Sequence, residues 1–108
     1  MASTVRVTAA VAKVLAAMLA EPEADRYGLD LMQVTGHPSG TLYPILARLE
    51  RAGWVDARWE DVDPSAARPA RRYYRLTSDG ASSARRELAA LYQYLVQAEG
   101  VSRSSRAD

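Results

Sequence analysis

The sequence of 108 residues has no cysteine and only one histidine, His37. The absence of cysteine excludes disulfides, thiolate metal sites and cysteine nucleophiles, and one histidine cannot form a multi-histidine metal site. A glycine-rich phosphate loop is also lacking, and His37 stands alone in a predicted turn. We therefore predict that the chain is not an enzyme, has no catalytic or metal-binding residues and uses no cofactor.

Long hydrophobic runs are lacking as well. The longest apolar stretch, residues 7–20, is interrupted by Lys13 and is too short to span a bilayer. It is not followed by a convincing signal-peptide cleavage site. The sequence therefore predicts a cytoplasmic protein without a membrane partner.

The chain has little net charge, +1 at pH 7, so the position of its charges says more than their sum. Residues 56–63 are mainly acidic. Residues 68–75 contain Arg68, Arg71, Arg72 and Arg75 and no acidic residue. With 48% hydrophobic and 25% charged residues, the composition is that of one ordinary folded domain.

Hydrophobic periodicity predicts four helices, at 8–20, 27–34, 39–52 and 78–99. Residues suited to begin or end them are Thr8, Ser39 and Thr77 at the starts, and Gly36, Gly53 and Gly100 at the ends. Gly28 is costly inside a helix and predicts the close approach of another backbone. Alternation predicts strands at 54–60 and 71–76, joined by a loop at 61–70.

This order predicts a fold that is mainly α with a small β-hairpin, namely a winged helix-turn-helix with a C-terminal dimerisation helix. The predicted units are a DNA-binding domain at 1–77, the dimerisation helix at 78–100 and a disordered tail at 101–108.

Three motifs stand in order between Tyr27 and Gly80: YGLDLM, SGTLYPILARLERAGWV and RPARRYYRLTSDG. Together they resemble the PadR family of transcriptional regulators, with its Y-G second helix, its G-T-L-Y-P recognition helix and its wing of R-P, Y-Y and L-T. The short turn TGHPSG and the single C-terminal helix are similar to a compact subgroup. The resemblance implies a transcription regulator that binds DNA, and relatives in this family are mostly repressors.

The predicted DNA-binding surface has two parts, because a helix fits the major groove and basic wing residues reach a minor groove or phosphates. On the third helix it comprises Ser39, Gly40, Thr41, Tyr43, Pro44 and Arg48. On the wing it comprises Arg68, Arg71 and Arg72. Taken singly, these residues have structural alternatives: a helix cap for Ser39, packing on the second helix for Tyr43, and solvated surface for Arg48. The alternative for the wing arginines is protection of a strand edge from aggregation.

The last helix predicts a homodimer, because its apolar residues recur at alternating intervals of three and four from Ala81 to Ala98. The predicted interface, shared with the first helix of each partner, comprises Val11, Met18, Leu88, Leu91, Tyr92 and Leu95. The alternative is packing on the chain's own first helix. Aromatic residues at the interface leave a small-molecule effector open as a further partner.

The sequence thus predicts a sequence-specific regulator that binds double-stranded DNA, a homodimeric repressor on a pseudo-palindromic operator. The alternative is a winged-helix protein-interaction module without DNA contact, which would present an apolar or acidic recognition face. The predicted face contains Gly40, Pro44, Arg48 and Arg51, so DNA is preferred.

Overall fold

The computed structural model describes residues 3–106, and the side chains of residues 3–100. Four helices and three strands follow one another as α1 (Ala9–Leu19), β1 (Arg26–Tyr27), α2 (Gly28–Thr35), α3 (Ser39–Arg51), β2 (Val55–Trp59), β3 (Arg72–Leu76) and α4 (Ser78–Arg106). The predicted order of three helices, a hairpin and a final helix is confirmed. Within the described part of the chain, no helix has the length and apolarity that crossing a membrane requires.

The ends of the first three helices follow local chemistry. The hydroxyl of Thr8 accepts the amide of Val11 at 3.3 Å, so Thr8 caps α1 as predicted. Gly36 ends α2 with a φ of 76°, in the left-handed region that glycine tolerates. Gly53, with a φ of 78°, turns the chain after α3, and the amide of Trp54 bonds back to the carbonyl of Leu49 at 2.9 Å.

The predicted cap of α3 is wrong. Ser39 is the first helical residue, and Pro38 occupies the cap position with extended backbone and no side-chain hydrogen bond. Proline fixes this geometry because its ring locks φ near −65°. The first turn of α3 therefore has no side-chain acceptor for its amides.

The sheet has a third strand that the sequence did not predict. The strand order is β1-β3-β2, all antiparallel, and Tyr27 of β1 pairs with Tyr73 of β3. The sequence assigned Tyr27 to the start of the second helix. A two-residue strand has no periodicity of its own, so only its pairing with β3 defines it.

The core joins α1 to all other helices and to the sheet. Its buried side chains are Val11, Val14, Leu15, Met18, Leu31, Leu42, Ile45, Leu46, Leu49, Trp54, Val55, Tyr74, Leu76, Ala81 and Ala84. Val11 and Met18 are each 1% exposed, because α2, α3 and α4 of the same chain cover α1. Their side chains have no surface left for a partner subunit, so the dimer prediction is wrong for these two residues.

The last helix starts where predicted and ends later. The hydroxyl of Thr77 accepts the amide of Gly80 at 2.8 Å, which caps α4. Gly100 does not end it: only Gly36 and Gly53 have a positive φ, and α4 continues to Arg106. Residues 101–106, predicted as a disordered tail, are thus helical, and residues 107–108 lie outside the described part.

Two glycines permit close packing. A side-chain carbon at Gly80 would lie 2.6 Å from Cα of Trp54, so the start of α4 presses against the turn after α3. At Gly28 the same atom would lie 2.6 Å from Cζ of Tyr43. The neighbour that Gly28 accommodates is therefore a side chain, and the predicted backbone contact is wrong.

Candidate nucleic-acid interface

One long face of α3 is open to solvent. Its buried stripe, Leu42, Ile45, Leu46 and Leu49, holds the helix on the core. The opposite face presents Ser39, Gly40, Tyr43, Pro44, Ala47, Arg48 and Arg51, all exposed. Thr41 is half-buried on the flank. The structure therefore places the predicted α3 residues on or beside one continuous surface.

The start of α3 leaves polar backbone available. A side-chain carbon at Gly40 would meet nothing within 4 Å, so this glycine serves no contact inside the chain. The amides of Thr41 and Leu42 both donate to the carbonyl of Pro38 at 3.0 Å, whereas those of Ser39 and Gly40 precede the first helical hydrogen bond and no side chain caps them. Pro44, inside the helix, also lacks the amide that would bond the carbonyl of Gly40.

Tyr43 packs on α2, which was the structural alternative considered for it, and is still partly exposed. Its ring lies over Gly28 at the start of α2, yet 44% of the residue is exposed. The atoms of Tyr43 nearest to Gly28 are its hydroxyl oxygen, Cζ and Cε1, so packing on α2 fixes this edge of the ring.

The arginines of α3 are free. Arg48 and Arg51 are exposed in its last turn, where their positive charges interact favourably with the negative end of the helix dipole. Among the described residues, neither has a carboxylate within ion-pair distance.

Three of the four arginines in segment 68–75 of the wing are paired with acids from outside the segment. Arg68 forms two bonds to the carboxylate of Glu60, at 2.6 and 3.1 Å. The remaining pairs are Arg72 with Glu50 of α3 at 3.2 Å and Arg75 with Asp25 at 3.1 Å. Segment 68–75 was predicted to be uncompensated because it contains no acid. That reasoning is wrong, because the compensating acids lie outside the segment, 8, 22 and 50 residues away in sequence, and meet the arginines in space.

Glu60 is the centre of the wing's hydrogen bonds. Besides Arg68, it accepts the backbone amide of Arg71 and the hydroxyl of Tyr73, each at 3.3 Å. The bond from Arg68 is the first cause that lowers the pKa of the Glu60 carboxyl to about 2. Similarly, the bond from Arg58 lowers the pKa of Asp25.

Arg71 differs from the other wing arginines. Its guanidinium lies 4.9 Å from the ring centre of Tyr27, and Tyr27 meets Tyr73 edge-on at 6.0 Å. Arg58 lies 5.3 Å from the ring centre of Tyr73. Arg71, Tyr27, Tyr73 and Arg58 thus form a row of side chains in contact. Strand β1 brings Tyr27 into this row, and the sequence prediction missed it because it missed β1.

The helix predicted to form the dimer has two unlike halves. Ala81 and Ala84 are buried, and half-buried Leu88 packs against the chain's own core. Beyond them, Tyr92 is 65% exposed and Leu95 is 56% exposed. Leu91 is half-buried, and Tyr94 is exposed. The first half therefore packs within the chain, which was the alternative to a dimer interface. The second half is uncovered.

His37 has a structural contact. Its ring nitrogen Nε2 lies 2.9 Å from the carbonyl oxygen of Ala10, and this contact ties the turn before α3 to α1.

A short helix-turn-helix whose second helix is exposed beside a β-hairpin defines a winged helix protein. The chain belongs to the transcriptional regulator PadR-like family, whose model matches residues 14–86. This is a family of transcriptional regulators and not of enzymes.

Solved structures agree with that assignment. The chain is similar to smu.1704 of Streptococcus mutans UA159, with a TM-score of 0.68, 27% identity and 92% of each chain covered. It is similar to a PadR-like transcription factor of Bacteroides fragilis, with a TM-score of 0.66 and 28% identity over 83% of this chain and 85% of that one. PcaV of Streptomyces coelicolor, solved with its natural ligand, is also similar. Its TM-score is 0.61, with 28% identity over 88% of this chain and 64% of that one. No curated protein sequence matches significantly.

Proposed function

We propose that this regulator binds specific DNA sequences as a homodimer and represses transcription from a pseudo-palindromic operator. The observation that carries the proposal is the open face of α3, where both charged side chains are arginines. The N-terminal part of such a helix meets base edges and phosphates when it lies in the major groove.

Each residue of this face has a role in the proposed complex. The uncapped amides of Ser39 and Gly40 bind a phosphate at the positive end of the helix. Gly40 lets the DNA backbone approach closely, and Ser39, Thr41 and Tyr43 donate hydroxyls to it. Pro44 offers an apolar surface to a thymine methyl, and Arg48 reaches a guanine.

In the wing, Arg71 is the proposed phosphate contact, because its guanidinium rests on a ring and not on an acid. Arg68 and Arg72 would bind phosphate only by exchanging Glu60 and Glu50 for it. We therefore assign most of the specific contacts to α3.

The proposed dimer uses the uncovered half of α4. Leu91, Tyr92 and Leu95 continue the helical spacing of Leu88, which is itself half-buried on the chain's own core, and a second copy would cover them. A two-fold dimer on successive major grooves holds its recognition helices about 34–36 Å apart. A DNA-binding role also implies the predicted cytoplasmic location. A small-molecule effector near Tyr92 and Tyr94 stays a prediction, supported by the ligand named for PcaV.

Binding to the promoter of the protein's own gene tests the proposal. Fluorescence anisotropy at several salt concentrations should show tight binding. The logarithm of the association constant should fall linearly with the logarithm of the salt concentration. Arg48→Ala should weaken it, whereas Arg85→Ala, which removes the same charge from exposed α4 surface, should not. Absence of binding to any duplex would favour the protein-interaction alternative. A promoter–reporter fusion then tests repression, which predicts higher expression without the protein.

The dimer has its own test, in sedimentation. Leu95→Lys should yield a folded monomer, since Leu95 is 56% exposed and its loss leaves the core of the chain intact. Gln97→Lys is the matched control, because it lies about 200° further around the helix. Equal dimerisation by both variants would contradict the proposed interface.

A further inference from the structure

The two tryptophans of the chain lie in opposite environments. Trp54 is 2% exposed in the core, and Trp59 at the end of β2 is 64% exposed. Trp59 shares a sheet face with Val55 and Ala57, because successive side chains alternate. That face packs on the core at Val55, but β2 extends past the core before it reaches Trp59. The ring therefore projects into a space between the wing and the helices.

This space is a cleft of about 550 Å³, which the starts of α2 and α3 close on one side and β2 and β3 on the other. Leu29 and Tyr43, which are 53% and 44% exposed, line it together with Trp59. Three large, exposed apolar side chains from separate elements thus meet around one cleft. A clustered exposed apolar surface marks an interaction site more often than single exposed residues do.

Trp59 is held in place on one side. The guanidinium of Arg72 lies 5.0 Å from its ring centre and also bonds Glu50 of α3 at 3.2 Å. These contacts fix the ring relative to the recognition helix.

The charged side chains that line the cleft are Arg71 and Arg72. A fitting occupant must offer apolar surface to the rings and negative charge to Arg71, whose guanidinium has no acid partner among the described residues. The sugar-phosphate backbone of DNA has both properties. The cleft also lies between the two surfaces already proposed to bind DNA, and none of the α4 residues whose side chains are described lines it.

We propose that the cleft takes one sugar-phosphate segment of duplex DNA, with Trp59 packed on a deoxyribose and Arg71 on the adjoining phosphate. This inference rests on the proposed DNA-binding function. It assigns to Trp59 a contact that is apolar and insensitive to salt, unlike the arginine contacts.

Quenching of tryptophan fluorescence by acrylamide tests the contact. Acrylamide is neutral, so the charge of DNA does not repel it. Without DNA, Trp59 should be quenched strongly, and Trp59→Phe should leave only the poorly quenched Trp54. Saturation with a mixed-sequence duplex at low salt should protect Trp59. A Trp59 that is still quenched in the saturated complex, or is already protected without DNA, would overturn the inference.

Affinity gives an independent measurement. Trp59→Ala should weaken binding about tenfold at every salt concentration, within the range for aromatic contacts with nucleic acid, and leave the salt slope unchanged. Arg71→Ala should lower the slope by about 0.9. Circular dichroism checks that Trp59→Ala remains folded. Unchanged affinity of Trp59→Ala contradicts the inference alone, whereas wild-type protein that binds no duplex contradicts the proposed function.

Discussion

The exposed face of α3 and the wing both contain arginines, but these arginines differ in what surrounds them. Arg48 and Arg51 have no acidic partner among the described residues, whereas Arg68 and Arg72 are each bonded to a glutamate. The number of basic residues in a segment is therefore a poor measure of the charge it offers to a ligand. In this chain Arg68 and Arg72 mainly fix the shape of the wing, whereas Arg71 and the arginines of α3 are available for binding.

Among the variants that test this contrast, Arg48→Ala should have the largest effect on DNA affinity. If Arg48 binds a guanine, affinity should fall by about 1–3 kcal/mol, and only for duplexes that carry that base. Anisotropy against a set of single-base operator variants measures this. Equal weakening on all sequences would show that Arg48 meets a phosphate.

Gly40→Ala separates binding from folding on α3. Its added methyl group meets nothing in the chain and should raise stability by up to about 1 kcal/mol, because alanine favours helix. The same methyl would collide with DNA and weaken binding by about 1–3 kcal/mol, as overpacking does. Thermal melts and anisotropy on one preparation measure both. A variant that is more stable and binds normally would show that the DNA does not approach the backbone at Gly40.

Tyr43→Phe should have a smaller effect. It removes one hydroxyl and keeps the ring that packs over Gly28, so affinity should fall by about 1 kcal/mol with little change in preferred sequence. Competition between operator and mixed-sequence duplexes tests this. A marked change in preferred sequence would move Tyr43 from the backbone to a base.

Glu60→Gln and Arg68→Ala should have the smallest effects, and they test the wing side of the contrast. Removing the charge of Glu60 frees Arg68 for phosphate, so the salt slope of Glu60→Gln should rise by about 0.9. Arg68→Ala should change the slope only in the Glu60→Gln background. A fall in slope for Arg68→Ala alone would mean that the native pair already opens on DNA.

Lowering the pH within the range where the protein is studied cannot replace the Glu60→Gln substitution. The folded-state pKa of Glu60 is about 2, below the ordinary value of 4.5. A lowered pKa means that the pair stabilises the fold fully above pH about 4.5 and loses this contribution as the pH falls towards 2. Salt slopes measured between pH 5 and 8 should therefore not change through Glu60.

The local features of the fold were predictable, because each depends on neighbours in sequence. The buried stripe of α3, the turns at Gly36 and Gly53 and the two longer strands belong to this group. Features that depend on distant partners were not predictable. Strand β1 exists by pairing with β3, and Val11 is buried by helices that come later in the chain.

The candidate site divides in the same way. Helical period was enough to place the exposed residues of α3 on one face, and the structure shows them there. The acid that faces Arg72 comes from α3, 22 residues earlier, so no inspection of the wing sequence alone would find it. The exposed apolar side chains of the cleft, Leu29, Tyr43 and Trp59, likewise come from three elements that only the folded chain brings together.

The contact between Gly80 and Trp54 has a mechanical consequence. The hydroxyl of Thr77 donates to the carbonyl of Gly53 at 2.8 Å, so the base of α4 is attached to the turn after α3 with almost no space between them. An α-helix of 29 residues is about 43 Å long. At that length, a tilt of about 5° at the base moves the far end by roughly 4 Å. In the proposed dimer α4 would thus act as a lever, through which small changes at the subunit contact alter the distance between the two recognition helices.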